Sequence, residues 1–69
     1  MPPVSSTNVA AVDYDDSRRV LVVQYNSGGV YEYFPDVPRE LYESVIGASS
    51  VGRALNGLVK PNFEYRRVS

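Results

Sequence analysis

Apolar and polar residues alternate in three stretches of the first half of the chain, with the period of two that is typical of β-strands. These stretches are "NVAAVDYD", "RVLVVQY" and "VYEYF". The first connection, "YDDSRR", is rich in Asp and Ser, whose side chains bond nearby backbone amides in turns. The second contains Gly28 and Gly29, and we expect one of them to take the positive φ that tight hairpins require. The pattern therefore predicts an antiparallel meander of three adjacent strands.

The third strand raises the question of what its tyrosines do. Tyr31 and Tyr33 share one parity, and Leu21 and Val23 on the preceding strand are expected near them. If these residues share a face, the rings lie in a core beneath the helices, with their hydroxyl groups hydrogen-bonded or in water. The alternative is an exposed platform on which nucleic-acid bases stack. Glu32 and the acidic "YDD" turn favour the core interpretation, because both repel phosphate.

The period changes to that of a helix in "PDVPRELYESVIGA". Pro38 suits a first helical turn, and Ser50 is placed to cap the start of a second helix. The apolar positions that align are Leu41, Val45 and Ala48 in the first helix and Val51, Leu55 and Leu58 in the second. Pro61 ends the second helix, and "NFEYRRV" alternates again as a last short strand or an extended tail. The predicted fold class is α+β: a small antiparallel β-meander of three or four strands with two short helices packed on one face.

Length and composition limit the chemistry. The 69 residues suffice for one domain, which we expect to span residues 5–69 after a disordered lead-in at residues 1–4. The chain has no Cys and no His, which excludes disulfides, thiolate metal sites and mechanisms that need a thiol or an imidazole. No apolar run approaches the ~20 residues that span a bilayer, so we expect a cytoplasmic protein without a membrane partner. No cofactor and no metal is predicted.

Charge is unevenly distributed along the chain, whose net charge is −1. Residues 1–48 carry three arginines against seven acids, whereas residues 49–69 carry four cations against Glu64 alone. A basic end on an acidic body is typical of proteins with an anionic partner. Attraction between the two parts of the same chain would produce the same pattern.

The ending "ASSVGRALNGLVKPNFEYRR", together with "SGGVYEYF" and the "VP" before the first helix, resembles the KTSC domain family. This family is named for its occurrence at the C-terminus of some lysyl-tRNA synthetases, and it also occurs as free-standing small bacterial or phage proteins. The resemblance covers residues 5–68, and Ser50, Gly52 and Asn56 carry the family's A-x-S-x-G-x-x-x-N pattern. The family has no assigned function, and an RNA-binding role has been suggested from the synthetase association.

The candidate ligand-binding residues lie in the basic second half: Arg53, Asn56, Lys60, Arg66 and Arg67. Helical spacing groups Arg53 with Asn56, and Pro61 lets the tail fold back beside the helix that carries them. Arg66 has the parity opposite to that of the tail aromatics, so we expect Arg66 rather than Arg67 to point into this basic face. Arginine suits phosphate because its planar fork bonds two oxygens at once. The alternative role of Asn56 is to cap a turn or to bond the tail backbone.

Two functions of different classes fit this sequence. The first is a noncatalytic module that binds RNA or another phosphate-bearing ligand, which the basic second half and the synthetase association favour. The second is a protein–protein interaction or self-association module, which the two-faced "VLVV" strand and an open sheet edge favour. An enzyme is not predicted, since Ser49 and Ser50 have no His or Cys partner in the chain.

Overall fold

The structure, a computed structural model, describes residues 8–69. Its elements are β1 (Val9–Asp15), β2 (Val20–Tyr25), β3 (Val30–Phe34), α1 (Arg39–Ile46), α2 (Val51–Ala54), a π-helical segment (Leu55–Val59) and β4 (Glu64–Arg67). The strands form one antiparallel sheet in the order β1-β2-β3-β4. The predicted α+β class is therefore confirmed, and the tail forms a fourth strand. The predicted lead-in at residues 1–4 lies outside the described residues.

The inner face of the sheet packs against the helices and carries the core. Pairing between β2 and β3 places Leu21 opposite Tyr33 and Val23 opposite Tyr31. Leu21 and Val23 are fully buried, Tyr33 is 3% exposed, and Tyr31 is half-buried against the core. The helical residues that complete this core are Tyr42, Val45, Val51, Leu55 and Val59. The predicted proximity of the two tyrosines to Leu21 and Val23 is therefore confirmed.

Side-chain and glycine chemistry sets the two hairpin turns. In the first turn, the Asp15 carboxylate accepts hydrogen bonds from the backbone N–H groups of Ser17 at 3.0 Å and Arg18 at 3.2 Å. In the second turn, Gly28 has a φ of +101°, which residues with a side chain rarely adopt. Its N–H donates to the Tyr25 carbonyl at 2.9 Å. The positive φ expected in this hairpin is thus confirmed at Gly28.

Strand β1 departs from strict alternation. Its register against β2 shifts between Val9 and Ala11, which is the mark of a β-bulge. Val9 is consequently 1% exposed and belongs to the same core as Val12 and Tyr14. Strict alternation along β1 predicts that Val9 lies on the face opposite to Val12 and Tyr14. This prediction is wrong, because the bulge inserts an extra residue and reverses the alternation before it.

The second helical region is not a uniform α-helix. Ser50 caps its start, as predicted. The chain then widens into the π-helical segment, which ends with a bond from the Lys60 N–H to the Leu55 carbonyl at 2.9 Å. The wider turn brings Val59 into the core and leaves Leu58 43% exposed. The predicted alignment of Leu58 with the buried positions is therefore wrong.

Candidate functional site

A cleft opens between the inner face of the sheet and the second helical region, next to the β2–β3 hairpin. Its volume is about 590 Å³, which lies within the range of about 300–1,000 Å³ typical of small-molecule sites. The lining residues are Asn8, Val9, Tyr25, Asn26, Ser27, Tyr31, Tyr33, Gly52, Leu55, Asn56, Lys60 and Tyr65. Four of them are tyrosines, and we call this site the tyrosine cleft.

Tyr33 is the buried member of the tyrosine wall. Its hydroxyl oxygen lies 2.7 Å from the hydroxyl oxygen of Tyr25, so the two groups share a hydrogen bond. Burial, followed by this hydrogen bond, raises the pKa of Tyr33 well above its ordinary value. Tyr25 in turn packs edge-to-face on Tyr31, with ring centroids 5.5 Å apart. This part of the wall therefore presents ring surface together with a pair of hydrogen-bonded hydroxyl groups.

Tyr65 is the exposed member of the wall. Pairing of β4 with β3 places it directly opposite Tyr33. Its ring centroid lies 5.9 Å from that of Tyr31 and 6.1 Å from that of Tyr33, with the ring planes tilted by 48° and 41°. The residue is nevertheless 64% exposed. One side of the ring is thus supported by other tyrosines, and the rest is open at the cleft, as in side chains on which planar groups stack.

The electrostatics of the tyrosine cleft differ from those of the whole chain. No Asp or Glu is among its lining residues, whereas Lys60 is, with its Nζ 5.5 Å from the centroid of the Tyr25 ring. Four of the seven cations bridge to carboxylates: Arg18, Arg19, Arg39 and Arg66. Within residues 8–69 the other three, Arg53, Lys60 and Arg67, form no ion pair. The uncompensated positive charge is therefore confined to residues in or beside this cleft.

The structure brings together only part of the predicted ligand site. Asn56 and Lys60 both line the cleft, on consecutive turns of the second helical region. Arg53 is exposed on α2, beside the lining residue Gly52 but not itself part of the lining. The side-chain amide of Asn56 makes no hydrogen bond within residues 8–69, so the structure does not give it the alternative role of capping a turn.

The two tail arginines point to opposite faces of the sheet. Arg66 lies across from Glu32, on the outer face, and its Nη2 and Nε donate to the Glu32 carboxylate at 2.9 and 3.1 Å. Arg67 lies across from Tyr31, on the inner face. The expectation that Arg66 points into the ligand face is therefore wrong. The ring of Tyr65 lines the cleft, and neighbouring residues of a strand point to opposite faces. Arg66 therefore points away from the cleft.

Glu32 explains why Arg66 is held on the outer face. Its carboxylate also accepts a hydrogen bond from Nη2 of Arg18 at 2.7 Å, so it joins the β1–β2 turn and β4 to β3. Arg18 and then Arg66 hold the pKa of Glu32 below its ordinary value, against the opposing effect of burial. Arg66 is therefore engaged in supporting the sheet, whereas the side chain of Arg67 donates to the nearby Ser69 carbonyl at 2.9 Å and forms no ion pair within residues 8–69.

The cleft also contains residues that the sequence did not single out. Tyr25 and Tyr65 complete the wall that Tyr31 and Tyr33 begin. The signal for Tyr65 is the alternation in "NFEYRRV", but its place beside Tyr33 depends on the pairing of β4 with β3, which local sequence does not specify. The core interpretation holds for Tyr33, which is buried, and in part for Tyr31, which is half-buried, while both rings also line the cleft.

Among the residues that the structure describes, no group of three or more acidic side chains is placed to hold a metal ion. In residues 8–69 no helix combines the length and the apolar character needed to cross a bilayer.

A four-stranded sheet with two short helical regions and a ligand-sized cleft defines a small α+β domain. The chain belongs to the KTSC domain family, whose model matches residues 5–63. The fold agrees with the crystal structure of a KTSC domain protein from Yersinia pestis, with a TM-score of 0.92 and 32% identity over 99% of this chain and 94% of that one. The family has no assigned function.

Two further relatives show the settings in which such domains occur. A protein of Tsukamurella paurometabola is 38% identical over 63 residues, which covers 91% of this chain and 92% of that protein. A lysine–tRNA ligase of Nostoc punctiforme is 34% identical over 56 residues, which covers 81% of this chain but 10% of the ligase. The domain is therefore similar both to small proteins of its own length and to a short segment of a much longer enzyme.

Proposed function

We propose that this protein is a noncatalytic binding module whose tyrosine cleft takes a phosphate-bearing ligand, with single-stranded RNA as the ligand class. One observation carries the proposal. The cations without a carboxylate partner within residues 8–69 lie in or beside a cleft that has aromatic walls and no acidic lining residue. Aromatic side chains combined with a positively charged groove are the common means of binding single-stranded nucleic acid.

The relatives support the same ligand class. Lysine–tRNA ligases of Nostoc punctiforme and of Trichormus variabilis each contain a segment that is 34% identical to this chain. Lysine–tRNA ligases are named for a tRNA, so an RNA is at hand for that segment. The π-helical turn gives independent support, because such turns are rare and are often found at functional sites. Here it carries Asn56 and leads directly into Lys60.

A titration of labelled single-stranded RNA at about 50 mM and about 200 mM salt tests the proposal, because phosphate contacts weaken as salt rises. The cleft variant is Arg53→Gln/Lys60→Gln. The matched control is Arg19→Gln/Arg39→Gln, which removes the same charge from residues outside the cleft. We expect the cleft variant to lose about tenfold in affinity and to reduce the salt slope by about 0.7 for each phosphate contact removed.

Two results would contradict the proposal. If both double variants lose affinity equally, the attraction is a general effect of net charge and the cleft is not the site. If the parent protein has no affinity for single-stranded RNA at low salt, the proposed function fails.

Self-association or binding of a protein partner is then the second candidate. The edge strand β4 favours it, since all four of its residues are exposed and edge strands offer unpaired backbone groups. Light scattering across a range of protein concentrations would report a dimer. A constant monomer mass would exclude self-association and leave only a different protein as the partner.

A further inference from the structure

The mouth of the tyrosine cleft has the features of a site for one planar group. Tyr65 is the most exposed ring of the wall, and its inner side rests against Tyr31 and Tyr33 at centroid distances of 5.9 and 6.1 Å. A side chain that is supported in this way and still 64% exposed loses little conformational freedom when a second ring stacks on it. No apolar residue of the chain covers it within the described residues.

The opposite wall carries the groups that a nucleotide would need besides stacking. Asn56 offers an amide donor and an amide acceptor, and it has no hydrogen bond within residues 8–69. The Lys60 ammonium lies 5.5 Å from the centroid of the Tyr25 ring and forms no ion pair within residues 8–69, so its N–H donors are available to an anion. Nucleobase edges carry paired donors and acceptors that an amide can match, and the adjoining phosphate matches an ammonium.

The closed interior of the cleft favours an unpaired base over a base pair. Tyr33 and Leu55 are buried and close the interior, and the whole volume is about 590 Å³. A base pair inside a duplex cannot enter such a space, because its faces are covered by its neighbours. Single-stranded RNA can turn an unstacked base outward, and proteins bind such bases on aromatic side chains.

We propose that the tyrosine cleft binds a single unpaired nucleobase, stacked on Tyr65, with the amide of Asn56 at its edge and its phosphate on Lys60. This inference rests on the proposed function and makes it more specific, since phosphate binding alone would not require a base. Tyr65 was not among the residues expected from the sequence, and its role comes from the pairing of β4 with β3.

The experiment compares three strands of equal length and charge, each of about ten nucleotides. The first is ordinary single-stranded RNA, the second is abasic throughout, and the third is abasic except for one central base. Affinity is measured by fluorescence anisotropy. Because the chain has no Trp, quenching of tyrosine fluorescence reports stacking directly. We expect the abasic strand to bind about tenfold more weakly than ordinary RNA, and the single base to restore most of that loss with quenching.

Substitutions at Tyr65 test the same point on the protein. Tyr65→Ala should lower the affinity for the one-base strand by about tenfold or more, whereas Tyr65→Phe, which keeps the ring, should bind like the parent. Ile46→Ala is the matched control, because Ile46 is also an exposed apolar residue but lies on α1 outside the cleft. Exposed positions of this kind tolerate substitution, so each variant should fold.

The outcomes separate the two proposals. If the abasic strand binds as well as ordinary RNA, or if Tyr65→Ala binds the one-base strand like the parent, the base-binding inference is wrong while phosphate binding stands. If no strand binds at low salt, the proposed function fails and the inference fails with it. An affinity for the one-base strand that depends on the ring of Tyr65 supports both.

Discussion

Truncation of Tyr33 and of Tyr31 measures how much each of these two cleft residues contributes to the stability of the fold and how far each is left for binding. The two residues are two positions apart on one strand and share one face, yet Tyr33 is 3% exposed while Tyr31 is half-buried. Truncation to Ala should therefore have unequal consequences. The comparison is internally controlled, because the residue type and the substitution are the same.

The magnitudes follow from burial. Removal of a fully buried aromatic side chain costs about 3–5 kcal/mol of unfolding free energy, so Tyr33→Ala should cost that much. Tyr31→Ala should cost about half, since its side chain is only partly removed from water. A domain of 69 residues has about 3–10 kcal/mol of stability in all. Tyr33→Ala therefore removes about a third or more of the total stability, and it unfolds the protein if that stability lies at the lower end of the range.

A milder variant keeps the measurement within range. Tyr33→Phe removes only the hydroxyl that bonds the Tyr25 hydroxyl at 2.7 Å, and a neutral hydrogen bond contributes about 0.5–1.5 kcal/mol. Urea unfolding followed by far-UV circular dichroism gives each value. Adding Tyr25→Phe should cost little more, because the shared bond is already lost. The reasoning is refuted if Tyr31→Ala is as destabilising as Tyr33→Ala, or if Tyr33→Ala unfolds at the same urea concentration as the parent.

Two further predictions concern the hairpin and the outer face. Gly28→Ala should lower the free energy of unfolding by about 1–2 kcal/mol, because Gly28 has a positive φ. Steric overlap does not contribute, since a new Cβ would meet no atom within 4 Å. An unchanged urea midpoint would contradict this prediction. Glu32→Gln should cost about 1–2 kcal/mol at neutral pH, since its carboxylate is buried but both of its arginine partners are half-exposed. Because the folded-state pKa of Glu32 is lowered from 4.5, its contribution is present above that value and is lost as the pH falls through the lowered pKa. The variant should therefore lose less stability on acidification than the parent or a Glu64→Gln control, and equal losses would show that Glu32 is not responsible.

The parts of the fold that follow short-range rules were predictable from the sequence. The alternation in β2 and β3 identifies the buried face. Leu21 and Val23 lie two positions apart on β2, and Tyr33 lies opposite Leu21 on β3, so all three share that face. The helix cap at Ser50 follows from side-chain chemistry within three residues. Such features depend on neighbours in the chain, and the sequence displays those neighbours directly.

The errors arise where the local period changes without a sequence signal. The bulge in β1 moves Val9 into the core. The π-helical segment buries Val59, whereas regular helical spacing would bury Leu58. Both changes add a residue to a repeating unit, and each places a valine in the core. Valine and leucine occupy the positions in either arrangement, so composition does not reveal which of them is buried.

The candidate site was harder to predict than the fold because it depends on contacts between distant segments. Arg66 and Arg67 are equally basic, and only the register of β4 against β3 decides which one shares a face with Tyr31. Glu32, in the middle of β3, accepts hydrogen bonds from Arg66 and so holds it on the outer face. A local pattern predicts that the two arginines diverge, but not which of them faces the cleft.

The charge distribution shows why net charge is a poor guide to the ligand of so small a domain. The chain is slightly acidic as a whole, yet Arg18, Arg19, Arg39 and Arg66 are each matched to a carboxylate outside the cleft. Charges separated by more than about 8 Å through solvent are largely screened at physiological salt. A ligand in the cleft is therefore affected mainly by Lys60, with Arg53 and Arg67 nearby. The matched ion pairs lie outside the cleft, so under the proposed function a phosphate would meet a locally positive site although the chain as a whole is slightly acidic.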